Sequence, residues 1–313
     1  MQPLKFAVHL PLGRDTPWDG LVAMATTAEQ EGFDAVCVGD HLTAHNYNII
    51  DYERPAELEG WTVLSALAAK TERVALVSNV SPIPLHHPVR LAKMVTTVDI
   101  ISGGRAILGL GSGYIREEFD SFGYPWHETA ERMEMMKEGV EVMLRLWTEK
   151  SANYRGKYYR LENALFFPKS IQKPHPPLWF GGNSSSMLQE IGRVGSGWTY
   201  VTPLTYQQER TYERGLKVQP SLDDFERLAT KLRGYIRAAG RSEDDVAFAP
   251  CLTFWPGEHN TRPYWMKVTE EFKERGGNYM VIQFSITKVE TETAIQFIRW
   301  FAENIIRSYR STP

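Results

Sequence analysis

Eight short apolar runs of β character punctuate this chain, and most are followed by a longer segment of helical period. The runs are Phe6–Leu10, Ala35–Val38, Val74–Val80, Ala106–Leu110, Leu178–Phe180, Gly197–Val201, Val246–Phe254 and Tyr279–Phe284. Helical patterns occupy Gly20–Glu31, Glu57–Lys70, Val89–Ile101, Glu128–Glu149, Ser186–Val194, Asp223–Ala239, Tyr264–Arg275 and Glu290–Ser308. Alternation of this kind demands a parallel sheet covered by helices. Eight units without a low-complexity linker predict a closed (β/α)8 TIM barrel, and 313 residues suit a single domain over 1–313. The main interruption is Asn153–His175, a hairpin around Tyr154–Tyr159 that leads into a Pro-rich strap, Pro168–Pro177. It reads as an insertion before the fifth strand. A packed barrel interior leaves chemistry to the loops at the C-terminal strand ends.

Composition narrows the function classes. With 35 Lys plus Arg against 38 Asp plus Glu, the net charge of -3 offers no basic stripe, so nucleic acid is not an expected partner. Two cysteines, Cys37 and Cys251, make neither a disulfide framework nor a cysteine zinc site. Cys37 sits in the run Ala35-Val36-Cys37-Val38 and reads as a small buried hydrophobe. No apolar run approaches the ~18 residues of a membrane span, so a soluble, cytoplasmic protein is expected.

Four strand ends carry chemistry-bearing residues. The second runs into Gly39-Asp40-His41, a carboxylate and an imidazole where barrels place catalytic groups. Alternation along an extended segment points Asp40 away from His41, leaving Asp40 to bond a cofactor or cap the loop. The third strand leads into Ser78–Pro88, with Pro82, Pro84 and Pro88 stiffening it. His86 and His87 lack further ligands at metal spacing and mark a helix entry, with Pro88 in its first turn. The fourth ends in Gly109-Leu110-Gly111-Ser112-Gly113-Tyr114. Tyr114 replaces the third glycine of a dinucleotide fingerprint, and what remains is bare backbone against which a flat ligand can lie. The fifth ends in Gly181-Gly182-Asn183-Ser184 before a helix, a seat for a phosphate without a P-loop lysine. No Gly-x-Ser-x-Gly elbow and no His-Glu-x-x-His motif is present.

Together these segments resemble the bacterial luciferase-like flavin and deazaflavin oxidoreductases. The likeness runs through His87–Lys93, Asp99–Arg105, Leu108–Gly113, Glu117-Glu118-Phe119, Phe122-Gly123, Leu146-Trp147, Tyr154–Gly156, Pro174–Pro177 and Gly181–Ser184. It covers residues 4 to 200, and the C-terminal third carries little of it. The resemblance implies a barrel, often dimeric, that holds FMN or coenzyme F420 at its C-terminal strand ends. It implies a backbone bulge, often with a cis peptide, at Asn79, Val80 and Ser81 behind the ring, and a phosphate seat at Gly181, Gly182, Asn183 and Ser184. With Asp40, Gly111, Ser112, Gly113 and Tyr114 these make the expected cofactor-binding set. His41 is the expected catalytic residue, near the reacting C5 edge, and no metal is expected. Two departures stand out: Tyr114 where some deazaflavin dehydrogenases carry a catalytic Glu, and Ala44-His45-Asn46 where they often carry a Trp.

The leading expectation is an F420-dependent oxidoreductase passing a hydride between the deazaflavin C5 and a small organic substrate. The alternative is an FMN-dependent two-component monooxygenase supplied by a separate reductase. A third reading is a non-catalytic flavin-binding barrel, against which a pocket lined by Trp61, Tyr114 and Trp198 would count; Trp198 also suits the core. If His41 is not the acid or base, Tyr114 or Glu117 is next in line. A homodimer is expected. The loops that would choose the substrate, including 45–48 and 255–257, match no interpretable pattern.

Overall fold

Strands rich in small and β-branched residues, such as Ala35-Val36-Cys37-Val38, are buried on both faces, and that forces a parallel sheet with helices outside it. The computed structural model describes residues 3–13, 16–42, 58–200, 221–254, 261–284 and 289–310. Residues 44–48, 201 and 255–257, singled out above, lie outside them. The barrel strands are β1 (Lys5–His9), β2 (Ala35–Val38), β3 (Ala75–Ser78), β5 (Ala106–Gly111), β8 (Leu178–Gly181), β9 (Gly197–Tyr200), β10 (Ala247–Phe254) and β11 (Tyr279–Phe284). Each pairs in parallel with the next, β3 with β5 and β11 with β1 included, so the eight strands close on themselves. β4 (Ser81–Pro82) is a two-residue strand beside β5, and β6 (Ala152–Arg155) with β7 (Arg160–Ala164) forms the antiparallel hairpin of the insertion.

Inward-facing residues fill the axis. Ala7, Ala35, Cys37, Val77, Ala249, Cys251 and Val281 form one cluster with Trp179 and Tyr279, whose rings meet edge to face at 4.9 Å. Small side chains on most strands leave the volume that these two aromatics occupy.

The helices are α1 (Trp18–Gln30), α2 (Gly60–Ala68), α3 (Pro88–Ser102), α4 (Arg116–Ser121), α5 (Thr129–Thr148), α6 (Ser185–Val194), α7 (Leu222–Ala238), α8 (Arg262–Glu274) and α9 (Thr291–Phe301). α3 starts as its sequence requires: His87 caps it by accepting the Val89 N–H, with Pro88 in the first turn. The predicted C-terminal helix is interrupted by a π turn, Ala302–Ile306, before the short α10 (Arg307–Arg310). α4 has no counterpart in the sequence reading, because six residues give too little periodicity to register. Among the described residues no helix is long and apolar enough to cross a membrane.

Charges at the N-terminal end of the barrel are fastened to backbone. Arg105, just before β5, donates to the carbonyls of Ser102, Val74, Ala68 and Thr71 and to the Thr71 hydroxyl. Glu29 at the end of α1 accepts the N–H groups of Glu72, Arg73 and Val74. The Pro-rich strap is held the same way, Asp99 of α3 accepting from the Ile171 and Gln172 N–H groups.

Candidate active site

The opposite end is built on a break in the third strand. The predicted run Val74–Val80 stops being a strand at Ser78, and the Asn79–Val80 peptide is cis. The chain then resumes as β4. This is the bulge expected from the family resemblance, at the expected residues. Its apex, Val80, lies over bare backbone: a Cβ at Gly111 would come within 2.8 Å of the Val80 side chain, and Cβ atoms at Gly109 and Gly181 within 3.1 and 3.2 Å. The glycines of the fourth strand therefore open room for Val80 and for the Ser78 carbonyl, which a Cβ on Gly109 would meet at 1.9 Å. The expectation that a flat ligand rests directly on this backbone is corrected accordingly: at Gly109, Gly111 and Gly181 the neighbouring surface is Val80.

Behind the bulge runs a buried polar chain. Trp61 of α2 donates its indole N–H to Ser81 Oγ at 2.9 Å, Ser81 bonds the Asp40 carboxylate, and Asp40 Oδ2 meets His86 Nε2 at 2.9 Å. Burial works against charge on both partners, but the Asp40–His86 hydrogen bond and attraction outweigh it. The carboxyl is held below its ordinary range and the imidazole above its own. Asp40 thus turns away from His41, as its strand-like position predicts. Its carboxylate is committed to His86 and Ser81, a support for the bulge that the sequence reading did not foresee.

His41 has a different partner. Its Nδ1 lies 3.3 Å from Glu118 Oε2, while Glu118 Oε1 accepts the Leu42 N–H. Glu118 is only 2% exposed, whereas its neighbour Glu117 faces solvent. The Tyr114 ring stands nearly perpendicular to the imidazole, 6.1 Å between centroids, and is itself exposed, on the rim. His9, at the end of β1, completes the group: a Cβ at Gly39 would touch His41 Cδ2 at 3.8 Å and His9 Cε1 at 3.9 Å. Burial drives the His9 imidazole down to about 4, against a hydrogen bond to Asn79 backbone, with the nearby His41 pushing the same way as burial. His9 is therefore neutral across the ordinary pH range.

At the fifth strand end Gly182 adopts φ +126°, a conformation that favours glycine, and Ser184 caps α6 by accepting the Met187 N–H at 3.2 Å. Lys231 of α7 reaches Ser185 Oγ at 2.6 Å, placing a cation beside this helix N-terminus. Trp198, in contrast, is core: fully buried, it stacks on Phe225 at 5.5 Å and donates to the Gly182 carbonyl. Trp61 is buried as well, so of the three aromatics considered for a pocket only Tyr114 faces outward. A groove of about 660 Å³ between α2 and α3 belongs to the outer helical layer rather than to the strand ends.

The structure thus gathers His41, Asp40, Asn79, Val80, Ser81, Gly111 and Tyr114 at one mouth, with Gly181–Ser184 at the adjoining strand end. It adds Glu118, His86 and His9, which the sequence reading did not assign to the site. Glu118 left a trace: Ile115, Glu118 and Phe119 fall at i, i+3 and i+4, which puts the carboxylate on the apolar face of a turn. His9 follows the parity of inward-facing Ala7. His86 left no local signal.

At 30% identity over 245 residues the chain matches the F420-dependent glucose-6-phosphate dehydrogenase of Microbacterium testaceum, covering 78% of this chain and 66% of that protein. At 30% over 212 residues it matches the FMNH2-dependent dimethylsulfone monooxygenase of Pseudomonas putida, covering 64% and 56%. The chain thus spans less than two thirds of the length of either relative. Among solved structures, the coenzyme F420-dependent tetrahydromethanopterin reductase from Methanopyrus kandleri superposes with a TM-score of 0.76 at 18% identity, over 98% of this chain and 100% of that one. The monooxygenase RslO1 from Streptomyces bottropensis gives 0.76 at 20%, over 98% and 100%. Both likenesses concern the fold. The family model described as luciferase-like monooxygenase matches residues 4–262, from β1 into α8, and the chain belongs to that family.

Proposed function

We propose that this protein is a coenzyme F420-dependent oxidoreductase that transfers a hydride between the deazaflavin C5 and a small organic substrate. The observation that carries the reading is His41, an imidazole held at a strand end by a buried carboxylate, next to the Val80 bulge. An imidazole exchanges protons near neutral pH, as an acid or base beside a redox ring must. Relatives named as F420-dependent, among them the Microbacterium testaceum enzyme, support the cofactor assignment.

The residues fit such a cofactor. Val80, raised on its glycine seat, offers an apolar surface to one face of a planar ring. The backbone at Gly182, the N-terminus of α6 and the Lys231 ammonium together suit a phosphate. A bound deazaflavin supplies a hydride-accepting C5 and does not readily form a peroxide with oxygen. His41 would hold or release the proton that accompanies hydride transfer at the substrate oxygen, and the bulge and its polar support would fix the ring's position. A homodimer belongs to the same reading and rests on the family resemblance alone.

The dimethylsulfone monooxygenase relative, with Tyr114 in the place of a catalytic Glu, favours a second reading: an FMN-dependent monooxygenase fed by a separate reductase. Titration distinguishes the two. Quenching of deazaflavin fluorescence should report tighter binding than FMN shows. Micromolar FMN binding with no measurable deazaflavin binding would replace the first reading by the second. Gly182→Val should weaken whichever cofactor binds, and unaltered affinity would place the phosphate elsewhere.

A further inference from the structure

We propose that Glu118 is the positioning residue of His41: its carboxylate keeps the ring proton on Nδ1, so that Nε2 is the nitrogen that exchanges a proton with the reactants. The proposal deepens the reading of His41 given above and rests on it for its catalytic meaning, but its geometry stands separately.

A buried carboxylate must find donors. Among the described residues Glu118 finds two on the segment leaving β2: the Leu42 backbone N–H at Oε1 and the His41 ring at Oε2. One side chain thereby fixes the backbone just past His41 and the ring itself. The grip is rigid because α4 is anchored by Phe119, which is fully buried and meets the Trp126 and Tyr124 rings edge to face at 5.2 and 6.5 Å. The Glu118 backbone cannot shift away from His41 without pulling Phe119 from its place.

The chemistry follows from the acceptor. A carboxylate accepts only, so the ring nitrogen facing it carries the hydrogen, and the neutral imidazole presents a lone pair at Nε2. The carboxylate also favours the protonated ring by direct attraction. Asp40 also attracts a protonated His41 ring across space, but its hydrogen bonds go elsewhere. Asp40, from the end of β2, is hydrogen-bonded to His86; His9, from β1, is neutral; and the Tyr114 and His41 rings stand nearly perpendicular. Glu59 and Glu118 also act on the neighbouring His86, so the pH behaviour at this end of the barrel involves all of these groups.

The test reads the tautomer directly. In 15N-labelled protein, two-bond 15N–1H correlation spectra report which ring nitrogen of each of the eight histidines carries the proton, and the His41 signals are those missing from His41→Asn. We expect neutral wild-type His41 in the Nδ1–H form. In Glu118→Gln the side-chain amide can donate to Nδ1, so the ring should shift toward Nε2–H and titrate at lower pH. Glu118→Asp, which keeps the carboxylate, should restore part of both effects. With F420 bound, Glu118→Gln should slow single-turnover hydride transfer about 10–100-fold, as when a carboxylate orienting a working histidine is lost. Cofactor affinity should stay within about twofold, and the pH profile should move with the titration. An Nε2–H ground state in the wild type overturns the proposal without any variant. So does an unchanged tautomer and midpoint in Glu118→Gln. The spectra need no cofactor, so a protein that fails to bind deazaflavin would refute the proposed function and leave this test intact.

Discussion

The two ends of this barrel use the same kinds of side chain in opposite ways. At the N-terminal end Arg105, Glu29 and, on α3, Asp99 are bonded to amides, carbonyls and a hydroxyl, groups that do not titrate. At the C-terminal end Asp40 and Glu118 face imidazoles, which do. A carboxylate tied to backbone amides adds rigidity and titrates only in the acid range. Glu29 does so: burial pushes its carboxyl up, but the amides it accepts from outweigh that and hold it below the ordinary value. A carboxylate tied to histidine makes a proton site whose occupancy the surroundings can set. Burial alone does not separate the two ends, since Asp99 is as inaccessible as Asp40 or Glu118. The partner decides which role a charge has.

The comparison can be broken most sharply at His41. His41→Ala should fold and keep most of its cofactor affinity while losing the hydride step by about 10²–10⁴-fold, if proton transfer is its contribution. His41→Asn, which keeps a donor but cannot titrate, separates positioning from proton transfer in the same single-turnover assay. Wild-type rates in both variants would reduce the imidazole to a wall of the mouth.

At the other end, Arg105→Met strands four carbonyls and a hydroxyl that now share one guanidinium. Denaturant unfolding should show a loss of about 2–4 kcal/mol, with cofactor titration unchanged. A change in cofactor affinity without a change in stability would mean that the ends are not separable in this way.

The Asp40–His86 pair predicts a pH dependence that extends above the acid range in which Glu29 at the base titrates, because one partner is an imidazole. The folded imidazole titrates above its ordinary 6.5, so its stabilising contribution is complete below that pH and fades as the pH rises through the folded value. The folded carboxyl titrates below its ordinary 3.8, so its contribution is present above that pH and fades as the pH falls through the folded value. The pair should therefore stabilise the fold most between 3.8 and 6.5. Thermal unfolding of His86→Gln across this range should lack that component, while Arg105→Met should keep it. The smallest effect expected is at the α6 cap, where Ser184→Ala should lower stability by about 1 kcal/mol. A much larger loss in a melting experiment would assign Ser184 more than the Met187 N–H it accepts.

How far the site was legible in the sequence follows the same division. The strands were legible because burial on both faces leaves long apolar runs, and the bulge because three prolines and the family resemblance converge on one loop. His41 and Asp40 were legible by their place after β2. Their partners were not, because each pairing spans a long stretch of chain: 77 residues for His41 and Glu118, 46 for Asp40 and His86. The tandem Glu117-Glu118 offers two carboxylates of equal standing until α4 turns one inward. His86 read as part of a helix entry. His87 beside it is the actual cap, and one register step sends the first ring to Asp40.

The edge-to-face pair Trp179 and Tyr279 has a kinetic consequence. It stops the barrel axis, so molecules that react over the strand ends reach them through the mouth and leave by the same way. Whatever seats deepest must arrive first and depart last. A cofactor lying on Val80 would be trapped for as long as a substrate sits above it, and its exchange rate would then be set by product departure rather than by its own affinity. Steady-state patterns would be ordered, with the second reactant acting as a cork on the first.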